Sequence, residues 1–261
     1  MKLREALDIK PGEVISLVGG GGKTTLMFAL ALELVSGGKS AVTTTTTKIF
    51  EPPSSETGLL LLESDEEKMM KRLLQNIVKY RHITVASEKS ASGKLRGVSS
   101  ELIGKLAELN QVSYIIVEAD GAAGRSLKAP GFNEPVIPPS TSLVIPMVGI
   151  GAVGCCLTEE HVFRPGIVSK LLGLPLGEII SAEAVAFLVT SPQGLIKASP
   201  AKARIVPFIN KVDLNDGLAK GRDLANRILE MKHLRIEQVA LGHARLPEPV
   251  VEVISRGISR D

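Results

Sequence analysis

The sequence predicts an α/β protein whose mostly parallel sheet is covered by helices on both faces. Short apolar runs typical of buried strands alternate along the chain with segments of helical periodicity, an order that favours parallel strands joined by helical crossovers. The chain has 261 residues, of which 44% are hydrophobic, enough for one large core. We therefore expect a single domain over residues 1–261, with a mainly helical insertion around residues 155–200.

Each predicted element follows from a local pattern. Aliphatic and β-branched runs predict strands at residues 14–18, 41–45, 59–62, 83–86, 114–117, 143–148, 205–209 and 238–241. Helical periodicity predicts helices at residues 24–35, 99–109 and 218–231, and several proline-punctuated helices between 159 and 197. A capping box of Ser64 and Glu67 begins one more helix, which ends near Tyr80. Ligands of such sheets bind beyond the carboxyl ends of the strands, where all the motifs below fall.

Composition narrows the function classes. The net charge is +3, from 31 basic and 28 acidic residues, and aromatic residues make up 3% of the chain. This balance disfavours a nucleic-acid partner. The apolar stretches are of strand length, the first residues lack the apolar segment of a signal peptide, and the two cysteines are adjacent. We expect a cytoplasmic protein with no membrane partner.

A glycine-rich loop between the first predicted strand and helix indicates nucleotide binding. Its members are Gly19, Gly20, Gly21, Gly22, Lys23, Thr24 and Thr25. Backbone N–H groups of small residues approach phosphate oxygens closely, and the helix adds its positive end. In this pattern, the P-loop, Lys23 reaches the β- and γ-phosphates and Thr24 binds Mg²⁺. The alternative is a glycine-rich turn without a ligand. Leu17 replaces the first glycine of the full pattern, and Val18 leaves no second lysine to act across a dimer.

Polar residues follow the second predicted strand. Thr46, Thr47 and Lys48 lie just past its end, where they face either the γ-phosphate or a second substrate. A solvated polar loop explains the same residues equally well. These three residues are candidate substrate ligands.

Two acids end the strand predicted at residues 114–117. Glu118 and Asp120 are two residues apart, so an extended chain directs both to the same side. One acid would hold Mg²⁺ while the other orients an attacking water, as in a Walker B segment. The spacing does not decide which acid does which; our assignment gives the metal to Thr24 and Asp120, and catalysis to Lys23, Glu118 and Asp120.

Basic residues follow the two acids. Arg125 and Lys128 come directly after a loop of small residues, and Arg164 lies farther along the chain. These cations are candidates for binding an anionic substrate. The alternative is that they are solvated.

An N-K-x-D sequence follows the strand predicted at residues 205–209. Asn210, Lys211 and Asp213 form this motif. In GTP-binding proteins the aspartate pairs with the guanine edge, so these residues predict a base site. The alternative is an Asn-capped turn into the helix that begins near Leu218.

Cys155 and Cys156 admit two interpretations. The favoured one is that both are small, buried apolar residues. The sharper one is that they handle a soft element such as selenium, sulfur or a metal.

Taken together, these segments resemble the YqeC family, accessory proteins of selenium-dependent molybdenum hydroxylases. The similar segments are residues 18–25, 44–49, 117–122, 127–130, 134–138, 163–165 and 210–213. The resemblance implies a role in maturing a labile selenium-containing molybdenum cofactor, with the hydroxylase or its cofactor as partner. It brings no settled reaction with it.

Three functions are compatible with the motifs. The first is an NTP-hydrolysing maturation factor that uses GTP or ATP with Mg²⁺. The second is a transferase or kinase acting on a small phosphorylated acceptor such as a pterin or nucleotide. The third is a scaffold that binds nucleotide without hydrolysing it.

Overall fold

The computed structural model describes residues 1–257, which form fifteen strands, seven α-helices and one short 3-10 helix at Ile150–Ala152. The strands are β1 (Val14–Gly19), β2 (Ala41–Thr45), β3 (Lys48–Phe50), β4 (Leu59–Leu62), β5 (His82–Ala86), β6 (Glu88–Lys89), β7 (Lys94–Arg96), β8 (Tyr114–Glu118), β9 (Leu127–Lys128), β10 (Leu143–Gly149), β11 (Val162–Phe163), β12 (Arg204–Ile205), β13 (Phe208–Asn210), β14 (Gln238–Gly242) and β15 (Val250–Ser255). The helices are α1 (Leu3–Ala6), α2 (Lys23–Ser36), α3 (Glu66–Tyr80), α4 (Ser100–Ala107), α5 (Pro165–Leu172), α6 (Ala182–Thr190) and α7 (Gly217–Glu230).

A ten-stranded sheet forms the centre of the fold. Its order is β15-β14-β13-β10-β1-β8-β2-β5-β4, with β12 paired to β10. All pairs are parallel except β14 with β15. Strand β1 lies between β8 and β10, and the chain after β1 first builds one side of the sheet and then the other. Such a reversal of direction opens a crevice at the carboxyl ends of the central strands.

Helices cover both faces of this sheet, as the sequence predicts. Side chains of α1 and α2 pack with Ile15 and Leu17 on one face. On the opposite face, α3 and α4 pack over β2, β5 and β8, while α5, α6 and α7 pack over β10, β13 and β14. Successive residues of β1 point to opposite faces, so this strand is buried on both. The α/β class with a mostly parallel sheet is confirmed.

Two predicted boundaries are wrong for identifiable reasons. Helix α3 is capped by Asp65, whose carboxylate accepts from the Lys68 N–H at 2.9 Å, so the predicted capping box of Ser64 and Glu67 does not form. Asp and Ser are both favourable N-cap residues, so the sequence alone did not decide between the adjacent Ser64 and Asp65. The single strand predicted at 205–209 is two short strands, β12 and β13, separated at Pro207, which has no N–H for a ladder.

The structure contains several short strands that the sequence did not predict. Strands β3, β7 and β6 form a small antiparallel sheet, and β9 and β11 form a two-stranded one. Between residues 155 and 200 the structure has α5 and α6, joined by turns, and both helices contribute to the main core. No helix within residues 1–257 is long and apolar enough to span a membrane.

Candidate functional site

The glycine-rich loop joins β1 to α2 in a conformation that only glycine adopts easily. The φ angles of Gly19, Gly21 and Gly22 are 92°, 85° and 123°. A Cβ atom on Gly21 would clash with the backbone of Gly149, which ends β10. The loop therefore packs backbone against backbone on the neighbouring strand end, and this contact fixes its shape.

The two halves of the loop differ in their hydrogen bonds. The N–H groups of its first half donate to protein acceptors: Gly19 to Asp120, Gly20 to the Met147 carbonyl, and Gly21 to the Arg125 carbonyl. In the second half, residues 22–25, no N–H group has an acceptor among the described residues, and no side chain caps α2. Four backbone donors at the start of a 14-residue helix are thus available to an anion.

Lys23 folds back over its own loop. Its Nζ donates to the Gly19 carbonyl at 2.6 Å and lies 3.2 Å from Asp120 Oδ1 and 3.9 Å from Glu118 Oε1. The side chain is 3% exposed. A buried ammonium needs such partners, because desolvation would otherwise favour its neutral form.

The two acids have different surroundings, although both face Lys23. Glu118 Oε2 accepts a hydrogen bond from Thr24 Oγ1 at 2.6 Å. Asp120 accepts from the Gly19 N–H through both oxygens, at 3.1 and 3.0 Å, and lies 3.2 Å from Lys128 Nζ. Burial raises the pKa of Glu118, and the positive charge of Lys23 only partly opposes this rise. Glu118 is therefore the acid that adjoins the Thr24 hydroxyl, whereas Asp120 is saturated by backbone and lysine contacts.

Lys128 lies beneath the cavity floor and does not line it. Its side chain is fully buried, and its Nζ donates to Glu134 Oε2 at 2.7 Å and to the Gly121 carbonyl at 2.9 Å. Burial is the largest single effect on Glu134 and opposes its ionisation. The Lys128 hydrogen bond and charge, the Gly131 N–H and the Arg164 charge together outweigh burial and hold the pKa of Glu134 below its usual value. Lys128 thus joins Asp120 to Glu134, and Arg164 lies 3.6 Å from the other Glu134 oxygen.

A cavity of about 760 Å³ lies at the carboxyl ends of β1, β2 and β8. Ten of the residues predicted from sequence line it: Gly21, Gly22, Lys23, Thr24, Thr46, Thr47, Lys48, Glu118, Arg125 and Arg164. Lining residues that were not among the sequence candidates for the site include Phe50, Lys94, Arg96, Ser99, Glu134 and Phe163. Thr46 is held by its hydroxyl, which donates to the Val136 carbonyl at 2.7 Å.

A second cavity of about 310 Å³ adjoins the first at Gly22, Thr24 and Gly124. It is also lined by Thr25, Asn210, Lys211, His243, Ala244 and Arg245. The last three follow β14 and carry no motif, so sequence reasoning missed them. Asp213 does not line this cavity but contacts a residue that does: one of its carboxylate oxygens is 2.9 Å from His243 Nδ1, without the alignment of a hydrogen bond.

Asn210 links the glycine loop to the segment that follows β14. Its amide nitrogen donates to the Gly21 carbonyl at 2.7 Å, and its oxygen accepts from the N–H groups of Lys211 and Ala244 at 2.9 and 3.0 Å. The N-cap of α7 is instead Asp216. The alternative of an Asn-capped turn is therefore wrong.

The prediction that both cysteines are buried is wrong. Cys156 is exposed and Cys155 is partly exposed, with its thiol donating to the Gly151 carbonyl at 3.0 Å. The pair lies in the irregular segment after β10, where Cys156 forms an isolated antiparallel β-bridge with Ile179. Residues 1–257 contain no group of three metal-ligating side chains.

Fold and site define an α/β protein whose glycine loop, two buried acids and two adjoining cavities lie at the carboxyl ends of a mostly parallel sheet. Residues 15–166 match the family model described as YqeC protein. The chain is 34% identical over 198 residues to the "Uncharacterized protein YqeC" of Escherichia coli (strain K12), covering 76% of this chain and 75% of that one. The chain belongs to the YqeC family, which confirms the predicted resemblance. The family match ends before Asn210.

Proposed function

We propose that this protein is a Mg²⁺-dependent P-loop NTPase. The observation that carries the proposal is the 2.6 Å hydrogen bond that Thr24 donates to Glu118. It is formed directly beside four backbone N–H groups that have no acceptor within residues 1–257. A hydroxyl, a carboxylate and a ring of N–H donors are the groups that hold a magnesium–triphosphate complex.

The donor set fits Mg²⁺ with Glu118 in place of Asp120. Magnesium takes one or two carboxylates with waters and phosphate oxygens. Glu118 already contacts the Thr24 hydroxyl, while both oxygens of Asp120 are occupied by Gly19 and two lysines. We assign Glu118 and Thr24 to the metal, and Asp120 to positioning Lys23. When bound, Mg²⁺ would neutralise charge on the β- and γ-phosphates.

Lys23 and Asn210 complete the proposed site. On nucleotide entry, Lys23 would exchange its contacts with the two acids for phosphate oxygens, since the cavity opens beside its ammonium. The base would lie in the smaller cavity, which continues from the loop past Asn210. A guanine base fits the proposal through Asp213, whose carboxylate is 38% exposed.

The Thr24 hydroxyl provides the sharpest test. Thr24→Val removes it at nearly constant volume, whereas Thr24→Ser keeps it. We expect wild type and Thr24→Ser to bind GTP or ATP in a Mg²⁺-dependent manner by calorimetry. Thr24→Val should bind the magnesium complex about tenfold to a hundredfold more weakly. Ser36→Ala, a hydroxyl deletion at the exposed far end of α2, is the control and should match wild type.

Product analysis separates the three functions. Phosphate released without an acceptor supports hydrolysis, a modified acceptor supports a transferase, and tight binding without turnover supports a scaffold. If wild type binds neither nucleotide, or if Mg²⁺ and Thr24→Val both make no difference, the proposal fails.

The proposed cellular role rests on the family resemblance alone. NTP turnover would serve the maturation of a selenium-dependent molybdenum hydroxylase. Cells with Thr24→Val as their only copy should then lose hydroxylase activity, and cells with Thr24→Ser should keep it. Equal activity in both strains would remove this role while leaving the NTPase proposal intact.

A further inference from the structure

The small sheet of β3, β7 and β6 turns a basic face into the larger cavity. The face consists of Lys48 and Phe50 from β3 and Lys94 and Arg96 from β7, and all four residues line the cavity. The glycine loop contributes to the same lining. Of the four residues, only Lys48 belongs to a segment that the sequence singled out.

The position of this face is fixed by packing and by backbone hydrogen bonds. Ile49 and Leu95 alternate with the face residues and are buried in the core, at 4% and 0% exposure. Strand β7 continues into residues 97 and 98, whose N–H groups donate to the carbonyls of Thr47 and Thr45, both at 3.0 Å. A sheet of eight residues would not be stable alone, and these attachments hold it against the end of β2.

Two cations of this face repel each other, and a bound anion would relieve the repulsion. Lys48 and Arg96 are directly opposite each other in the antiparallel register, and like charges so placed destabilise a sheet. Arg96 is offset by Glu88 at 3.0 Å. Lys48 and Lys94 form no ion pair with any residue in the described part of the chain.

The whole cavity has a surplus of positive charge. Six basic residues line it, against the two acids Glu118 and Glu134. Both acids are already engaged, Glu118 by Lys23 and Thr24 and Glu134 by Lys128 and Arg164. A triphosphate on the glycine loop would be expected to engage Lys23 of α2, whereas Lys48, Lys94 and Arg96 belong to the small sheet.

The face also offers an aromatic surface. The Phe50 ring is 68% exposed, with Lys94 Nζ 4.8 Å from its centroid. Phe163, which also lines the cavity, lies under the Arg164 guanidinium at 4.6 Å. An exposed ring beside a cation, such as Phe50, is suited to stacking a planar heterocycle that carries an anionic group.

We propose that Lys48, Phe50, Lys94 and Arg96 bind a second small ligand, a phosphorylated planar heterocycle, in the cavity that also receives the nucleotide's terminal phosphates. The presence of a nucleotide beside this ligand rests on the NTPase proposal, whereas the binding of the ligand itself does not. The cavity of about 760 Å³ has the size of a small-molecule site. The phosphate would lie between Lys48 and Arg96, and the ring against Phe50.

Flavin mononucleotide is a suitable probe because it combines a phosphate with a fluorescent planar ring. Its binding is measured by fluorescence anisotropy on the full-length protein saturated with magnesium and a non-hydrolysable GTP analogue. Riboflavin, which lacks the phosphate, is the ligand control. The variants are the double substitution Lys94→Ala with Arg96→Ala, and Lys89→Ala, whose residue lies on β6 in an ion pair with Glu51 and outside the cavity lining.

We expect the double variant to bind flavin mononucleotide at least about tenfold more weakly, since each lost charged contact is worth about that factor. Lys89→Ala should match wild type, and riboflavin should bind more weakly than its phosphate. Equal affinity of wild type and double variant, no binding to wild type, or equal affinity for riboflavin would overturn the inference. Calorimetry with the GTP analogue on the same samples reports on the NTPase proposal separately, because Lys94 and Arg96 should not affect it.

Discussion

Asp120 is the residue whose replacement should most disturb the site without touching a ligand. Its two carboxylate oxygens share the single Gly19 N–H donor, and they lie 3.2 Å from Lys23 Nζ and Lys128 Nζ. Asp120→Asn keeps the shape and one acceptor oxygen. It removes the negative charge that both ammonium groups share, and it turns an NH₂ donor towards one of them.

The expected loss of stability follows from these distances. Two unit charges 3.2 Å apart attract by about 5 kcal/mol at an effective dielectric constant of about 20. Desolvation of the three groups offsets most of this attraction in the native protein. Lys128 retains Glu134, and Lys23 retains the Gly19 carbonyl. We therefore expect the free energy of unfolding to fall by about 3 kcal/mol, at the low end for breaking a buried ion pair.

Urea unfolding followed by circular dichroism measures this loss. Asp216→Asn is the matched control, because Asp216 pairs with Lys220 on the surface of α7, where its side chain is 64% exposed. That substitution should change stability by less than about 1 kcal/mol. If Asp120→Asn also changes the free energy of unfolding by less than this limit, the buried lysines do not depend on the Asp120 charge, and Asp120 does not position Lys23.

Two other perturbations test the acids at the margins of the cavities. Because the pKa of Glu134 is lowered, its stabilising effect is full above its usual value of 4.5 and is lost as the pH falls through the lowered value. Glu134→Gln should therefore lower the free energy of unfolding by about 2 kcal/mol at neutral pH. Urea unfolding across a pH series should show this difference from wild type shrinking in acid. A difference that does not change with pH would contradict the Lys128 pairing. Asp213→Asn should weaken GTP binding and shift preference towards xanthosine triphosphate, because an amide donor matches the C2 carbonyl of xanthine. Competition binding decides this, and ATP and GTP affinities within about threefold of each other in wild type would indicate that Asp213 does not select the base.

The sequence was sufficient for the elements with strong local patterns. The buried strands β1, β2, β8 and β10 are continuous apolar or β-branched runs, and α2 begins at the lysine of a recognisable loop. The residues predicted to lie together at the sheet edge do so because parallel strands place their carboxyl ends side by side. Most of the first cavity's predicted lining follows from that rule alone.

The remaining features depend on contacts between distant segments. Nothing near Lys128 in the chain indicates that it is buried between Asp120 and Glu134. Strands β3 and β7 have three residues each, too few for a period of two to be recognised, so Lys94 and Arg96 were not connected with Lys48. His243 lines the second cavity only because β14 pairs with β13. Tertiary pairing, which local propensity does not encode, decides all three.

A glycine in this loop can be retained for folding or for ligand binding, and the contact between Gly21 and Gly149 identifies folding as the reason at position 21. At Gly21 any side chain would collide with the backbone that ends β10, whereas a Cβ on Gly22 would meet the Asn210 amide nitrogen at 2.7 Å. Randomising the loop under selection for folding alone should thus still return glycine at position 21. Gly22, whose φ of 123° also favours glycine, should be retained for a structural reason as well. Only the residues tolerated after Gly22 would then report on the ligand that the loop binds.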